Sequence, residues 1–324
     1  MRRMIGIIIH PGFQLLDAAG PAAAFELAEH FCPGSYDLKM LAPGGGEIES
    51  SSGMRLAARP LSVDVALDTA IISGGEIIRS ITAAQEIVAW LRQAGMRRTA
   101  SVCTGAYLLA EAGLLDGRHA TTHWYSLSEL RKKHPTVRYV PDRRYVVDRS
   151  VATTTGITAS MPMMLILIEA IAGRDKAEAV ARDLGLDHWD ARHDSGAFKF
   201  TRPFAPTAIG NTLAFYNHEQ LGIRLEPGLD EVSLALVADA WSRTYRSGAV
   251  TFAARDGAIV SRDGIRILPD QVAADWPVEQ LVPATADMRP AKALDQALRD
   301  ISARYGARTT DFVAMQLEYP RTPQ

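Results

Sequence analysis

Thr99-Ala100-Ser101-Val102-Cys103-Thr104-Gly105-Ala106-Tyr107-Leu108-Leu109-Ala110 is the stretch on which the reading of this chain turns. A short β-leaning run stops at a cysteine, a small Thr-Gly pair follows, and a helical pattern continues to a break at Gly113. This is the layout of a nucleophile elbow, a tight strand-to-helix turn that exposes one reactive side chain at the carboxyl edge of a sheet. There the thiol meets the positive end of a helix dipole, which favours thiolate over thiol. The competing reading is a buried structural cysteine, because free cysteine packs like a small hydrophobe. Gly105 and the switch from strand to helix favour the reactive one.

Working outward from the elbow, short apolar strands alternate with helical patterns. Ile5–Ile9 and Ala70-Ile71-Ile72 are continuous apolar runs of the kind buried on both faces of a parallel sheet. Tyr36–Ala42 reads as a strand and Glu47–Leu56 as a hairpin or bent ribbon. Asp17 leads an Ala-rich helix with Pro21 in its first turn, and Ser160-Met161-Pro162 starts a later apolar helix with serine as cap. The alternation predicts an α/β fold, a flavodoxin-like doubly wound parallel sheet with its site at the carboxyl ends of the strands.

The chain has 324 residues, 47% hydrophobic and 22% charged, enough for a large core and for two domains. Its net charge of −2 leaves no basic footprint for nucleic acid or an anionic membrane. Two cysteines, Cys32 and Cys103, supply no disulfide framework, so a reducing compartment is expected. The apolar run at Ile5–Ile9 is too short for a secretory signal, and Met161–Ala172 is too short to span a bilayer. The expectation is a cytoplasmic protein with no direct nucleic-acid or membrane partner.

Periodicity fades between His193 and Gly210, which divides the chain into residues 1–195 and 196–324. The second region echoes the first. Ala249–Ile267 lies over Leu38–Leu56 without a gap at an offset of 211, which carries Gly53 onto Gly264, and Val232–Val237 reads as a buried strand like Ile5–Ile9. A degenerate partial repeat and a coincidence of short β-ribbon sequence both remain open. Residues 196–324 contain no cysteine, so a duplicated half would lack the chemistry. The composition of 193–210 is not that of a flexible tether, and the second region is expected to pack on the first.

Three segments converge on one sheet edge. Cys103 supplies a nucleophile, and Asp17 follows the first strand. Gly74 and Gly75 follow another, where backbone amides can face a developing oxyanion together with those of Cys103 and Thr104. A carboxyl beside a thiolate is pushed toward its protonated form and can act as general acid. From local sequence alone Asp17 reads rather as a helix N-cap ahead of an Ala-rich helix, and Gly74-Gly75 equally as an ordinary tight turn. His123 reads as a buried histidine holding a backbone group. No ligand pair has metal-type spacing.

Ser101-Val102-Cys103-Thr104-Gly105, Ala112-Gly113-Leu114-Leu115-Asp116-Gly117 and Ala120-Thr121-Thr122-His123-Trp124 together resemble the ThiJ/PfpI superfamily, the class I glutamine amidotransferase-like α/β fold. Pro11–Asp17, Gly20-Pro21, Ser51-Ser52-Gly53 and Gly156-Ile157-Thr158-Ala159 extend the likeness over residues 4–185. Within it the likeness is to isonitrile hydratase and to the ligand domain of GlxA-type regulators of the AraC class. The resemblance implies a cofactor-free, metal-free lyase on a small electrophile such as an isonitrile. Cys103 would be nucleophile and Asp17 acid; Gly74, Gly75 and Thr104 would orient substrate or oxyanion; Gln14 would line the pocket beside His123. It equally admits a ligand-sensing domain without its own helix-turn-helix, or a thiol redox protein. Ser160-Met161-Pro162 departs from the family pattern, and residues 196–324 are an addition, although Met315–Pro320 resembles the ending of isonitrile hydratase. By the same resemblance, a homodimer through the helix after Asp17 is one arrangement; the other puts the added region in the place of a second subunit.

Overall fold

A computed structural model describes residues 2–31, 33–75, 82–199, 204–213, 218–285 and 288–319. Cys32, expected at a helix-to-loop transition, lies outside them. The elements β1 (Arg3–Ile8), α1 (Leu15–Phe31), β2 (Tyr36–Ala42), β3 (Gly46–Glu49), β4 (Arg55–Pro60), β5 (Thr69–Ile72), α2 (Thr82–Gln93) and β6 (Arg98–Ser101) lead to the elbow. After it come α3 (Ala106–Glu111), β7 (His119–Ala120), α4 (Trp124–Lys133), β8 (Arg138–Tyr139), β9 (Tyr145–Asp148), β10 (Val151–Thr154), α5 (Ser160–Ala172) and α6 (Arg174–Leu184). The remainder forms α7 (Phe204–Leu213), β11 (Glu219–Arg224), α8 (Glu231–Ser242), β12 (Ser247–Ala253), β13 (Ile259–Val260), β14 (Arg266–Leu268), β15 (Gln271–Val272), α9 (Pro290–Tyr305) and α10 (Ala307–Gln316).

The core of the main sheet is parallel, in the order β4-β2-β1-β5-β6-β10, with β9 added antiparallel at one edge. Helices cover both faces, and β1 shows why. Ile5 and Ile7 belong to the apolar cluster that includes α1, α5 and α6, whereas Ile8 belongs to the one with α2 and α3. Alternate side chains of a strand point to opposite faces, so a strand apolar at every position needs a helical layer on each. The fold is therefore mixed α/β with a doubly wound, flavodoxin-like sheet, and an additional region follows it.

That region does not hang from a linker. β14 joins the main sheet by pairing antiparallel with β4, and α8 packs on α1. Its own small sheet runs β11-β12-β15, all parallel. One apolar cluster includes residues of both parts, among them Phe25, Leu236 and Ile301.

Three local expectations are corrected. Val232–Val237 is helix, within α8, and not strand. Every residue from Glu231 to Trp241 is buried, so the helix is buried all round and carries no 3.6-residue alternation to separate it from a buried strand. Asp230 fixes its start, accepting from the Ser233 amide at 2.6 Å. Secondly, α1 begins at Leu15, which puts Asp17 inside the first turn and Pro21 in the helix interior. The cap comes from far away in sequence, because Leu16 N donates to Oδ2 of Asp239 at 3.1 Å. Thirdly, Ser160 is the first residue of α5 and donates its hydroxyl to the Ile157 carbonyl rather than capping the helix.

Candidate active site

The elbow follows from one left-handed residue. Val102 N still pairs with Ile72 O across the sheet, and the next residue, Cys103, has φ of 55°. A non-glycine residue in this region costs about 1–2 kcal/mol, which the surrounding packing must offset. The chain then makes a single 3-10 turn, Cys103–Gly105, before α3. Gly105 is required there, because a Cβ would sit 2.5 Å from the Ile72 carbonyl oxygen. The cysteine main chain is held from two sides: its amide donates to Thr154 Oγ1 at 3.2 Å and its carbonyl accepts from Thr122 Oγ1 at 3.0 Å.

Asp17 is fully buried, and its Oδ2 accepts from the Gly74 amide at 2.9 Å while Oδ1 has no hydrogen-bond partner. Burial, reinforced by the nearby Asp239 carboxyl and opposed by the Gly74 amide, holds Asp17 well above the usual carboxylate range. Burial favours its protonated form. Cys103 behaves contrary to the dipole argument. Burial raises its thiol well above the ordinary value; Asp17 and Glu318 add to this, while Arg243 and the Thr104 amide oppose it. A helix of six residues behind a 3-10 turn does not outweigh removal from water. The resting sulfur is a thiol.

The two glycines are also reassigned. Gly74 N is spent on Asp17, and Gly75 N donates to Thr104 Oγ1 at 2.8 Å, while that hydroxyl donates to Gly75 O at 2.9 Å. Neither amide is free for an oxyanion; they position Asp17 and the elbow. Gln14 lies in the same cluster, its Oε1 accepting from Ser51 Oγ and from Arg243. His123 stands at the N-cap of α4, its Nδ1 accepting from Tyr125 N and its Nε2 facing the Gln316 carbonyl at 3.0 Å. Burial lowers its pKa to about 3, so it is neutral and holds backbone.

The second region closes the site with residues that local sequence reasoning missed. Arg243, at the end of α8, donates to Oε1 of both Gln14 and Gln316. Asp239, one turn earlier, is buried and its pKa is pushed up to about 6 by burial. Glu318 accepts from the amides of Trp124 at 3.0 Å and Gly156 at 2.8 Å, and burial pushes it up to about 7. The available signal was Asp239 and Arg243, charges at helical spacing against an otherwise apolar run. Two cavities, of about 560 and 300 Å³, meet at Thr155, His193, Phe198 and Glu318; Cys103 lines neither. Among the described residues no helix is long and apolar enough to cross a membrane.

A doubly wound α/β sheet with a cysteine in the left-handed region at the strand-to-helix turn defines the class. The model of the DJ-1/PfpI family matches residues 3–170, and the chain belongs to that family. Among curated relatives, it is 31% identical over 193 residues to the HTH-type transcriptional regulator CdhR of Pseudomonas aeruginosa, covering 58% of this chain and 56% of the regulator. It is 32% identical over 192 residues to isonitrile hydratase of Pseudomonas putida, covering 57% and 78%. The chain thus spans about half the length of that regulator. In fold, an AraC family transcriptional regulator from Pseudomonas putida superposes with a TM-score of 0.52 at 24% identity, over 56% of this chain and 99% of that one.

Proposed function

We propose that this chain is a cofactor-free, cysteine-dependent enzyme, an isonitrile hydratase-like lyase acting on a small electrophile in the cytoplasm. The observation that carries the reading is the pair itself: a buried thiol in a strained elbow, and a buried carboxyl with one oxygen free that acts electrostatically on that thiol. Burial favours the protonated form of both groups, and adding S–H across a terminal isonitrile carbon uses them so. The sulfur lone pair forms the C–S bond, Asp17 gives its proton to that carbon, and the thiol proton returns to Asp17. The product is a thioformimidate. Water then adds to its carbon, the nitrogen takes a proton, and the C–S bond breaks to release an N-substituted formamide and restore the thiol. The kinship to isonitrile hydratase supports this reading at the level of family.

A ligand-sensing role is the second reading, favoured by the sealing of Cys103 away from both cavities and by the regulators among the relatives. Purified protein assayed against an isonitrile, methylglyoxal and glutamine, beside a Cys103→Ala control, separates the two. Formamide release from the isonitrile, absent in the control, is expected. Saturable isonitrile binding with no product from the native chain would favour the sensor.

A further inference from the structure

The strand pairing of the second region repeats that of the first, residue for residue. In the first half, β1 pairs with β2 from Arg3↔Tyr36 to Ile8↔Leu41; in the second, β11 pairs with β12 from Glu219↔Ser247 to Arg224↔Phe252. An offset of 216 carries β1 onto β11, and an offset of 211 carries β2 onto β12. The ribbon follows the second offset, so that Ile48↔Leu56 and Glu49↔Arg55 become Ile259↔Ile267 and Val260↔Arg266. Even the next strand leaves a trace: Gly6↔Ala70 becomes the parallel bridge Gly222↔Leu281. The helix pairs agree too. α5 and α6 meet at Gly173 (φ 92°, ψ 163°) and α9 and α10 at Gly306 (φ 84°, ψ 165°). Among the described residues the elbow and the strands around it have no counterpart.

The two copies meet as subunits related by a two-fold axis meet. In such an interface the same patch is used twice, and a residue on the axis faces its own equivalent. Here β4 and β14 run antiparallel with Leu56 opposite Ile267, which are equivalent positions at the offset of 211. Met54 and Leu56 line a small cleft with Ile265 and Ile267, their own counterparts, and α1 packs on α8. The symmetry breaks at the site. In sequence, the offset of 211 aligns Arg243 and Asp239 with Cys32 and Ala28, so their charges are not carried over from a common sequence. Both reach the first copy at Gln14 and Leu16, beside Asp17.

We infer that residues 219–316 act as a built-in second subunit, a truncated copy that completes the single Cys103–Asp17 site within one chain and supplies Arg243 as its cation. The titratable groups acting on the Cys103 sulfur are Asp17, Glu318 and Arg243, and Arg243 alone of these favours thiolate.

Arg243→Gln in the full chain, checked for folding by circular dichroism, is tested by mass-resolved iodoacetamide labelling of Cys103 across pH. The labelling midpoint is expected to move to higher pH by about one pH unit, the effect of losing one nearby opposite charge. Arg243→Lys restores most of it. Co-expression of the Arg243→Gln chain with a Cys103→Ser chain leaves the shifted profile unchanged, because each chain uses its own second half. An unshifted profile in Arg243→Gln removes Arg243 from the site. Recovery on co-expression shows that the arginine comes from another chain, and either result overturns the inference. Light scattering supplies a readout that needs no variant: a 35.2 kDa monomer across concentrations is expected, and twice that mass would refute a built-in subunit.

Discussion

At the residue scale the site is governed by one backbone angle and one unpaired oxygen. Cys103 sits at φ 55°, where glycine is free of the Cβ penalty. Cys103→Gly should therefore be more stable than Cys103→Ala by about 1 kcal/mol in urea unfolding; equal stabilities would mean that the elbow stores no strain. Asp17 separates position from proton. Asp17→Asn keeps an acceptor for the Gly74 amide but has no acid proton to deliver. Under the lyase reading its turnover should fall by about 10²–10⁴-fold with the fold unchanged by circular dichroism. Retained turnover would remove Asp17 as the acid. The elbow at Cys103 was legible in the sequence as a local pattern, whereas Asp17 also read as a helix N-cap and its role as acid rested on the family resemblance. Their protonation was not legible, since burial is a property of everything packed around them.

At the scale of elements, the contact between β4 and β14 holds the two halves in one sheet. Leu56 and Ile267 are each 2% exposed and directly opposed across it. Either truncated to alanine should cost about 2–5 kcal/mol. Because the pair shares a contact, the double variant should depart from additivity by at least about 0.5 kcal/mol. Additive losses in a denaturant-based cycle would show that the two side chains do not support each other. The ribbon offset of 211 was readable from sequence, since glycines and alternation fix β-ribbons locally. The helix α8 was not, because a run buried on every side carries no period.

At the scale of the whole molecule, the buried acids set how stability follows pH. Asp239, Glu318 and Glu231 have folded pKa values raised to about 6, 7 and 8. A raised acid binds its proton more tightly in the folded state, so its contribution is complete below the unfolded pKa and is lost as pH rises to the folded one. His123, lowered to about 3, acts oppositely and costs stability as pH falls below about 6.5. Between pH 6.5 and 8.5 only the acids act among these groups, and the melting temperature should fall. Glu318→Gln should flatten part of that fall in differential scanning calorimetry; a melting temperature that rises over this interval would contradict the assignment.

The sequence by itself determined the parallel α/β sheet, the strand-to-helix turn at Cys103 and the faint echo at 211 residues. All three rest on side chains within a few positions of one another, or on a gapless match. Tertiary structure alone decided that the sulfur rests as a thiol, that Gly74 and Gly75 spend their amides on Asp17 and Thr104, and that Asp239, Arg243 and Glu318 close the site. The glycine contacts cross 57 and 29 residues and those that close the site cross more than 150, such as Leu16 with Asp239 and Gly156 with Glu318. No local pattern encodes them, because charge and burial at a point are fixed by whatever the fold brings there.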